Sequence, residues 1–398
     1  MACTLLLLPG SLLAQQGEEY PEFRFDGQLR LRGEADGRTA GADPDFATLS
    51  RIRLGVRVTL TDWIRVYGQV QDARAWGTEI NTLTDAGADN FDMHQVYAEL
   101  GHSPAFNARL GRQIMALGDE RLVGAVEWSN TGRSFDGVRL IGETQGITWT
   151  AFAMNVAERD ALLAVGLDPQ LNQGVFDDGW LIGGFASRKF GDLNSELTAV
   201  YDRDAITAES YTLNLRLHGR TANVLYEAAG AYQFGPDRSA WFASVVAGLA
   251  IGRGSLAAQL DYLSGDTNPD DAKTRAFNTL YATNHKFYGY MDYFLFIPEQ
   301  LDQAGLVDAI LRASLNTSSA TALRLDLHRF LTAQERVDQN GLGTELDLVG
   351  RWTVVKPANL EVGLGLFFPD DLARALPAFA DGKKATWWGY AQLMLVWP

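Results

Sequence analysis

The stretch "RIRLGVRVTL" (residues 51–60) decides how the chain folds. Its even positions, Ile52, Leu54, Val56, Val58 and Leu60, are all apolar, and its odd positions hold Arg51, Arg53, Gly55, Arg57 and Thr59. Strict alternation marks a strand with one apolar and one polar face. Three arginines along one face repel one another unless that face is wet or supplied with acids.

The pattern recurs. "FRFDGQLRLRGE" (23–34) sets Phe23, Phe25, Leu29 and Leu31 against Arg24, Asp26, Gln28, Arg30 and Arg32. "SYTLNLRLHG" (210–219), "LRLDLHRF" (323–330) and "TELDLVGRW" (344–352) repeat it, the last two placing Arg324, Asp326, Glu345, Asp347 and Arg351 on polar faces. The alternation predicts strands over 23–33, 49–60, 63–72, 93–101, 106–113 and 134–141. It continues over 146–154, 180–190, 194–201, 210–218, 223–234 and 240–251, and ends with 255–264, 306–316, 320–330, 342–353, 359–368 and 386–397. These are eighteen strands, many near the roughly 9–11 residues of a tilted membrane span.

Connections alternate too. Short turns such as "TDW" after Leu60, "GETQG" at 142 and "GDL" at 191 are separated by longer segments at 34–48, 73–92, 114–133, 155–179, 265–305, 331–341 and 369–385. Within two of these, 155–179 and 295–305 could form short amphipathic helices that fold inward. This is the pattern of a transmembrane antiparallel up-and-down β-barrel with short periplasmic turns and long extracellular loops. A soluble sandwich also alternates, but its strands are usually shorter. In a barrel the apolar face meets lipid and the arginine face looks into a water-filled lumen. Parity further predicts that Leu60 pairs with Ile64 across the loop Thr61-Asp62-Trp63, placing Arg57 opposite Tyr67 and Thr59 opposite Arg65.

The 398 residues carry a formal charge of −15, which argues against a nucleic-acid partner. The single cysteine, Cys3, cannot form an internal disulfide. Leucine-rich residues 1–14 read as a secretory signal; no Lys or Arg precedes the apolar run, which a truncated start could explain. Beyond residue 14 no stretch approaches the ~18 apolar residues of a membrane helix, which leaves one barrel domain over 15–398.

Two segments carry a family resemblance. "LGRQIMALGDERLVGAVEWSNTGRSFDGVRL" (110–140) resembles the hallmark of alginate-export-type outer-membrane proteins. "YLSGDTNPDDAKTRAFNTLYATNHKFYGYMDYF" (262–294) resembles a second hallmark of the same family, in its "SGD" start, "FN-LY" centre and "H--YGY-D" end. The resemblance implies a monomeric eighteen-stranded barrel in the outer membrane of a Gram-negative bacterium, set in lipid and lipopolysaccharide. It also implies a channel for an anionic polysaccharide or other anions, served by periplasmic export machinery. Carried over by position, it nominates Arg112, Arg121, Arg133, Asp136 and Arg139 as pathway residues. Parity adds Arg51, Arg53, Arg57, Arg65 and Tyr67. Guanidinium pairs carboxylates bidentately, so such a ladder suits carboxylated cargo. The competing reading has these arginines bracing the wall against lumen acids such as Glu99, Asp326, Glu345 and Asp347.

No catalytic set is expected. The chain has no G-x-S-x-G elbow, and a barrel-based lipase or protease would need a nucleophile beside a base. A barrel plugged by its own loops, acting as receptor or anchor, is the other alternative. "SGDTNPDD" echoes a calcium loop at Asp266, Asn268 and Asp270, but Asp271 stands where glycine and Phe277 where the bidentate glutamate belongs. It reads as a solvated acidic loop. His94, His102, His218, His285 and His328 lack metal-ligand spacing, and His285 is expected to serve the loop fold. No metal or cofactor follows from the sequence.

Overall fold

The computed structural model describes residues 20–38, 43–76, 91–103, 105–157, 179–203, 209–268, 270–336, 338–375 and 385–398. The signal-sequence reading of residues 1–14 falls outside them, as does most of 155–179. Within the described residues all eighteen expected strands are present. The first nine are β1 (Glu22–Asp36), β2 (Asp45–Thr61), β3 (Ile64–Trp76), β4 (Phe91–Ser103), β5 (Phe106–Gln113), β6 (Phe135–Thr144), β7 (Ile147–Ala157), β8 (Gly179–Phe190) and β9 (Leu193–Arg203). They are followed by β10 (Ser210–Thr221), β11 (Val224–Gly235), β12 (Arg238–Ile251), β13 (Gly254–Leu263), β14 (Leu306–Asn316), β15 (Thr321–Arg336), β16 (Gln339–Val355), β17 (Ala358–Pro369) and β18 (Thr386–Trp397).

Every strand pairs antiparallel with its successor, and β18 returns to pair with β1 from Gly27–Trp397 to Asp36–Trp388. Closure gives each strand two neighbours and leaves no sheet edge, the condition for a sheet to stand in lipid. The outward face is apolar, with Ile52, Leu54, Leu60, Leu215, Val245 and Leu311 all exposed. The inward face carries the charge, and Arg51 is only 1% exposed.

The β2–β3 register places Arg57 opposite Tyr67 and Thr59 opposite Arg65, as parity requires. The expected Leu60–Ile64 pair does not form. Thr61 pairs with Ile64 across a register shift, leaving a two-residue turn at Asp62-Trp63. Leu60 is squeezed into a bulge because a two-residue turn closes this hairpin more tightly than the three-residue loop expected.

The short turns share one end of the barrel with the start of β1 and the finish of β18. The opposite end carries the long connections, with two exceptions. β11 and β12 are joined there by residues 236–237 alone, and β15 runs on to Arg336 while β16 starts at Gln339, so 331–336 and 339–341 are strand rather than a long loop. Segment 295–305 does fold inward, but as a 3-10 turn at Glu299–Leu301 with Ile297 and Leu301 buried.

The core lies inside the barrel. Segments 114–134 and 264–305 bend into the lumen and bury Met115, Leu122, Val123, Phe277, Met291 and Phe294 against wall residues Phe135, Met154, Leu181, Phe330, Phe367 and Trp388.

Two neighbours on β2 test the assignment of faces. Val56 shares the outward parity of Leu54, where an arginine near the bilayer midplane costs roughly 2–4 kcal/mol. Val56→Arg is expected to lower assembly yield, whereas Arg57→Glu, whose side chain stays in the lumen, assembles close to normally. Heat-modifiable gel mobility reads both, and the reverse ranking contradicts the assignment.

Candidate functional site

The inward arginines of β1 and β2 meet segment 114–134. Register sets Arg30 beside Arg51 and Gln28 beside Arg53 on adjacent strands. Both β2 arginines grip one carboxylate: Arg51 Nη2 lies 2.9 Å from Glu127 Oε2, and Arg53 Nη1 is 2.9 Å from each Glu127 oxygen. Gln28 and Gln71 accept from Arg51 Nη2 and Arg53 Nε at 2.7 and 2.6 Å. Arg30 donates to the carbonyls of Glu127, Trp128 and Ser129 at 2.8, 3.2 and 2.7 Å. Arg32 donates to the Trp128 carbonyl at 2.8 Å and lies 4.3 Å from the Trp128 ring centre. Burial pushes the Glu127 carboxyl up, but Arg51 and Arg53 outweigh it and hold the group below the usual carboxylate range. Gly132 turns the segment at φ +73°, where a Cβ would stand 2.6 Å from the Arg53 guanidinium.

The same segment is tied to the opposite wall. Arg121 Nη1 lies 2.8 Å from Asp261 on β13 and packs over the Phe287 ring at 4.0 Å. Burial disfavours its charge, but Asp261, Tyr288 and Asp119 more than offset this, so the guanidinium stays charged. Asp119 in turn lies 3.5 Å from Arg216 on β10, which also pairs with Glu227 at 2.6 Å and Glu196 at 3.0 Å. Burial nonetheless raises the Asp119 carboxyl above its ordinary value.

Segment 264–305 docks on 114–134. Tyr281 N–H donates to the Leu122 carbonyl at 2.9 Å, Gly124 N–H returns to Tyr281 at 2.8 Å, and Thr283 N–H reaches Glu120 at 3.0 Å. Lys286 pairs with the Glu120 carboxylate. His285 stacks on Trp128 at 4.1 Å and hydrogen-bonds Asp292 at 2.6 Å, a role in the loop fold. The far side is latched to β16: Met291 N–H donates to Glu345 at 2.8 Å and Tyr290 N–H to Asp347 at 3.3 Å. Gly289, at φ +84°, brings the backbone so close that a Cβ would fall 2.4 Å from Glu345 Oε1. Both hallmark segments are therefore one inward body.

The nominated residues separate into groups. Arg51, Arg53, Arg121 and Arg133 anchor this body, Arg133 through the carbonyls of Gly124, Tyr281 and Ala282. Arg65 faces inward and pairs with Glu99 at 3.3 Å. Tyr67 donates to Asp26 at 2.9 Å, in space open because residue 55 is glycine. Arg57 lies over the Tyr67 ring at 5.4 Å, and Arg139 faces the lumen beside Thr150 at 3.5 Å. Arg112 and Asp136 do not line the pathway. They pair with each other at 2.7 Å on the outward parity of Leu110 and Val138, because the strand alternation overrides their place in the hallmark motif. The expected bracing of the ladder by wall acids holds for Arg65 alone. The acids are otherwise engaged: Asp326 pairs with Arg312 and Arg324, while Glu345 and Asp347 accept the loop amides. In "SGDTNPDD", Arg275 takes the place of a cation, 3.4 Å from Asp266 and 2.8 Å from Asp271.

Between the inward body and the wall runs a cavity of about 890 Å³. Among the described residues its lining holds eight arginines and Lys286 against five carboxylates, and Glu196, Asp261 and Asp326 pair with these arginines from behind. Arg30, Arg216, Arg312, Arg324 and Arg351 belong to it but were not nominated from sequence. Four of them sit on polar faces already visible in the alternation, and Arg312 pairs across from Asp326.

Glu127 is the joint of this construction. Glu127→Gln removes the carboxylate from two buried guanidinium groups, at roughly 1.5–3 kcal/mol per charged hydrogen bond lost. The barrel is expected to assemble while segment 114–134 becomes sensitive to limited proteolysis. In the parent protein the same release is expected on acidification. A carboxyl held low in the folded state contributes stability above its unfolded pKa of about 4.3, and that contribution fades as pH falls through the lower folded value. Identical proteolysis of variant and parent, at neutral and at acid pH, contradicts this.

No curated protein matches the chain. Among solved structures it is similar to Acinetobacter baumannii OccAB1, with a TM-score of 0.65 at 13% identity, covering 94% of this chain and 96% of that one. Acinetobacter baumannii OccAB4 gives 0.65 at 8% identity, covering 94% and 98%. Pseudomonas aeruginosa OccK2 (OpdF), solved in complex with glucuronate, gives 0.62 at 13% identity, covering 94% and 98%. At such identities the likeness is one of fold. The alginate export family matches residues 22–297, which hold segment 114–134 and most of segment 264–305, and the chain belongs to that family of outer-membrane barrels.

Proposed function

We propose that the barrel is a passive channel for carboxylated saccharides and other anions, with its cations selecting charge and its inward body setting the bore. The observation that carries this reading is the set of eight guanidinium groups that line the cavity. Most of these arginines have an acid beside them. Arg312 and Arg324 share Asp326, Arg351 pairs with Glu361, and Arg216 with Glu196 and Glu227. An acid at one edge of a guanidinium fixes its orientation, and a planar group with five N–H donors suits a passing carboxylate. The aromatic rings of Trp128, Phe287 and Tyr290 line the same space, and Arg324 lies 5.5 Å from the Tyr290 ring centre. Rings beside cations suit a cargo with both a sugar face and a carboxylate. Family membership and the glucuronate bound to OccK2 agree with that chemistry.

The plugged-barrel alternative has one observation in its favour, the inward body itself. The two readings differ in conductance. In planar bilayers the parent protein is expected to pass a small, steady current that glucuronate oligomers block more strongly than neutral saccharides of equal length. Deleting residues 266–284 should raise or destabilise the current. Equal block by charged and neutral saccharides contradicts the anionic cargo, and an unchanged current after the deletion reduces the segment to surface decoration.

A further inference from the structure

Among the described residues, three arginine–aspartate pairs lie on outward-facing positions at the end with the long connections. They are Arg74–Asp72 on β3 at 2.8 Å, Arg112–Asp136 across β5 and β6 at 2.7 Å, and Arg329–Asp370 beside β15 at 2.6 Å. Charge on the outer face of a barrel is tolerated near the headgroups and not at the midplane, so these pairs mark the level where the headgroups begin.

One pair stands over a pocket. On β2 and β3 the register places Ser50 beside Arg74, Ile52 beside Asp72 and Leu54 beside Val70, all facing out. Together they line a pocket of about 340 Å³, bounded by Trp76 and Phe91. Its floor, Ile52, Leu54 and Val70, is wholly apolar and runs toward the membrane interior. Its head is polar and ordered. Arg74 holds Asp72 through Nε and Nη2 at 2.8 and 2.9 Å, and Trp76 Nε1 donates to Ser50 Oγ at 2.8 Å. From inside the barrel, Asn130 Nδ2 donates to the carbonyls of Ser50 and Arg74 at 3.2 and 2.9 Å. The pocket is thus built on the part of the wall that anchors segment 114–134.

An apolar trough with a polar head between two aromatic rings has the shape of an amphiphile, and its chemistry narrows the headgroup. A joined guanidinium and carboxylate offer donors and acceptors together without net charge, which suits hydroxyl groups. A bare phosphate would meet the Asp72 carboxylate. Exposed tryptophan and phenylalanine suit the headgroup level, where amphipathic rings gather. We propose that this pocket seats one saccharide-headed lipid of the outer leaflet, with an acyl chain along Ile52, Leu54 and Val70 and sugar hydroxyls on Asp72 and Arg74.

The test uses full-length protein in nanodiscs of phosphatidylethanolamine and phosphatidylglycerol, with lipopolysaccharide added. Native mass spectrometry of the released barrel counts retained lipids. The parent protein is expected to keep one lipopolysaccharide in preference to phosphatidylglycerol. The double variant Asp72→Asn/Arg74→Gln should retain roughly tenfold less, equivalent to about 1.4 kcal/mol. The matched variant Arg112→Gln/Asp136→Asn, on the outer face but away from the pocket, should retain as much as the parent. If the first variant fails to assemble by heat-modifiable mobility, Trp76→Ala carries the same expectation. Equal retention by parent and pocket variant, or equal retention of phosphatidylglycerol and lipopolysaccharide by the parent, overturns the proposal.

Discussion

A buried guanidinium must find acceptors, and this requirement organises the interior of the barrel. Arg30, Arg32, Arg51 and Arg53 rise from two adjacent strands, all at most 4% exposed. The strands alone cannot satisfy them, because β1 and β2 set Arg30 directly beside Arg51. The missing acceptors come from residues 127–130, whose one carboxylate and run of carbonyls converge on the four side chains. Burying several cations without such partners would cost far more than a fold of marginal stability can bear. The segment is therefore drawn inward by the wall it covers.

Once the first segment crosses the lumen, the rest of the site follows. Its far end meets Asp261 of β13 through Arg121 and Arg216 of β10 through Asp119, so it spans the barrel as a bar. Its middle supplies an edge on which Tyr281 and Thr283 pair, and that brings in segment 264–305. The second segment is held in turn by Glu345 and Asp347 of β16. What remains open is the space between this body and the walls, and the guanidinium groups left there each have an acid beside them. One residue type thus has two uses. Arg51 and Arg53 hold the bar in place, while Arg312, Arg324 and Arg351 line the cavity from the far wall.

Much of this was legible in the sequence. Period-two alternation located all eighteen strands, because lipid on one side and water on the other impose the same pattern on every strand of a barrel. Parity also fixed Arg57 opposite Tyr67. The failures have physical causes. Arg112 and Asp136 were carried over from a motif, whereas their outward parity with Leu110 and Val138 was the better guide. The length of β15 and β16 was underestimated because Thr332, Gln334 and Asn340 look like loop residues on strands that extend beyond the apolar band. The partner of Arg51 and Arg53 could not be read from strand periodicity, since Glu127 lies in a connection and only its inward fold brings it 74 to 76 residues across the chain to β2. Arg30 and Arg32 carried the same parity signal as Arg51 and went unnominated.

The central claim is that the guanidinium groups lining the cavity make this outer-membrane barrel an anion-preferring channel. The most direct measurement is the reversal potential of the parent protein in a planar bilayer under a salt gradient, taken at low and at high ionic strength. The account predicts a potential displaced toward the anion equilibrium value at low salt and shrinking as salt screens the lumen charges over a Debye length of about 10 Å at 0.1 M. A potential displaced toward the cation value, or one near zero at low salt, contradicts it.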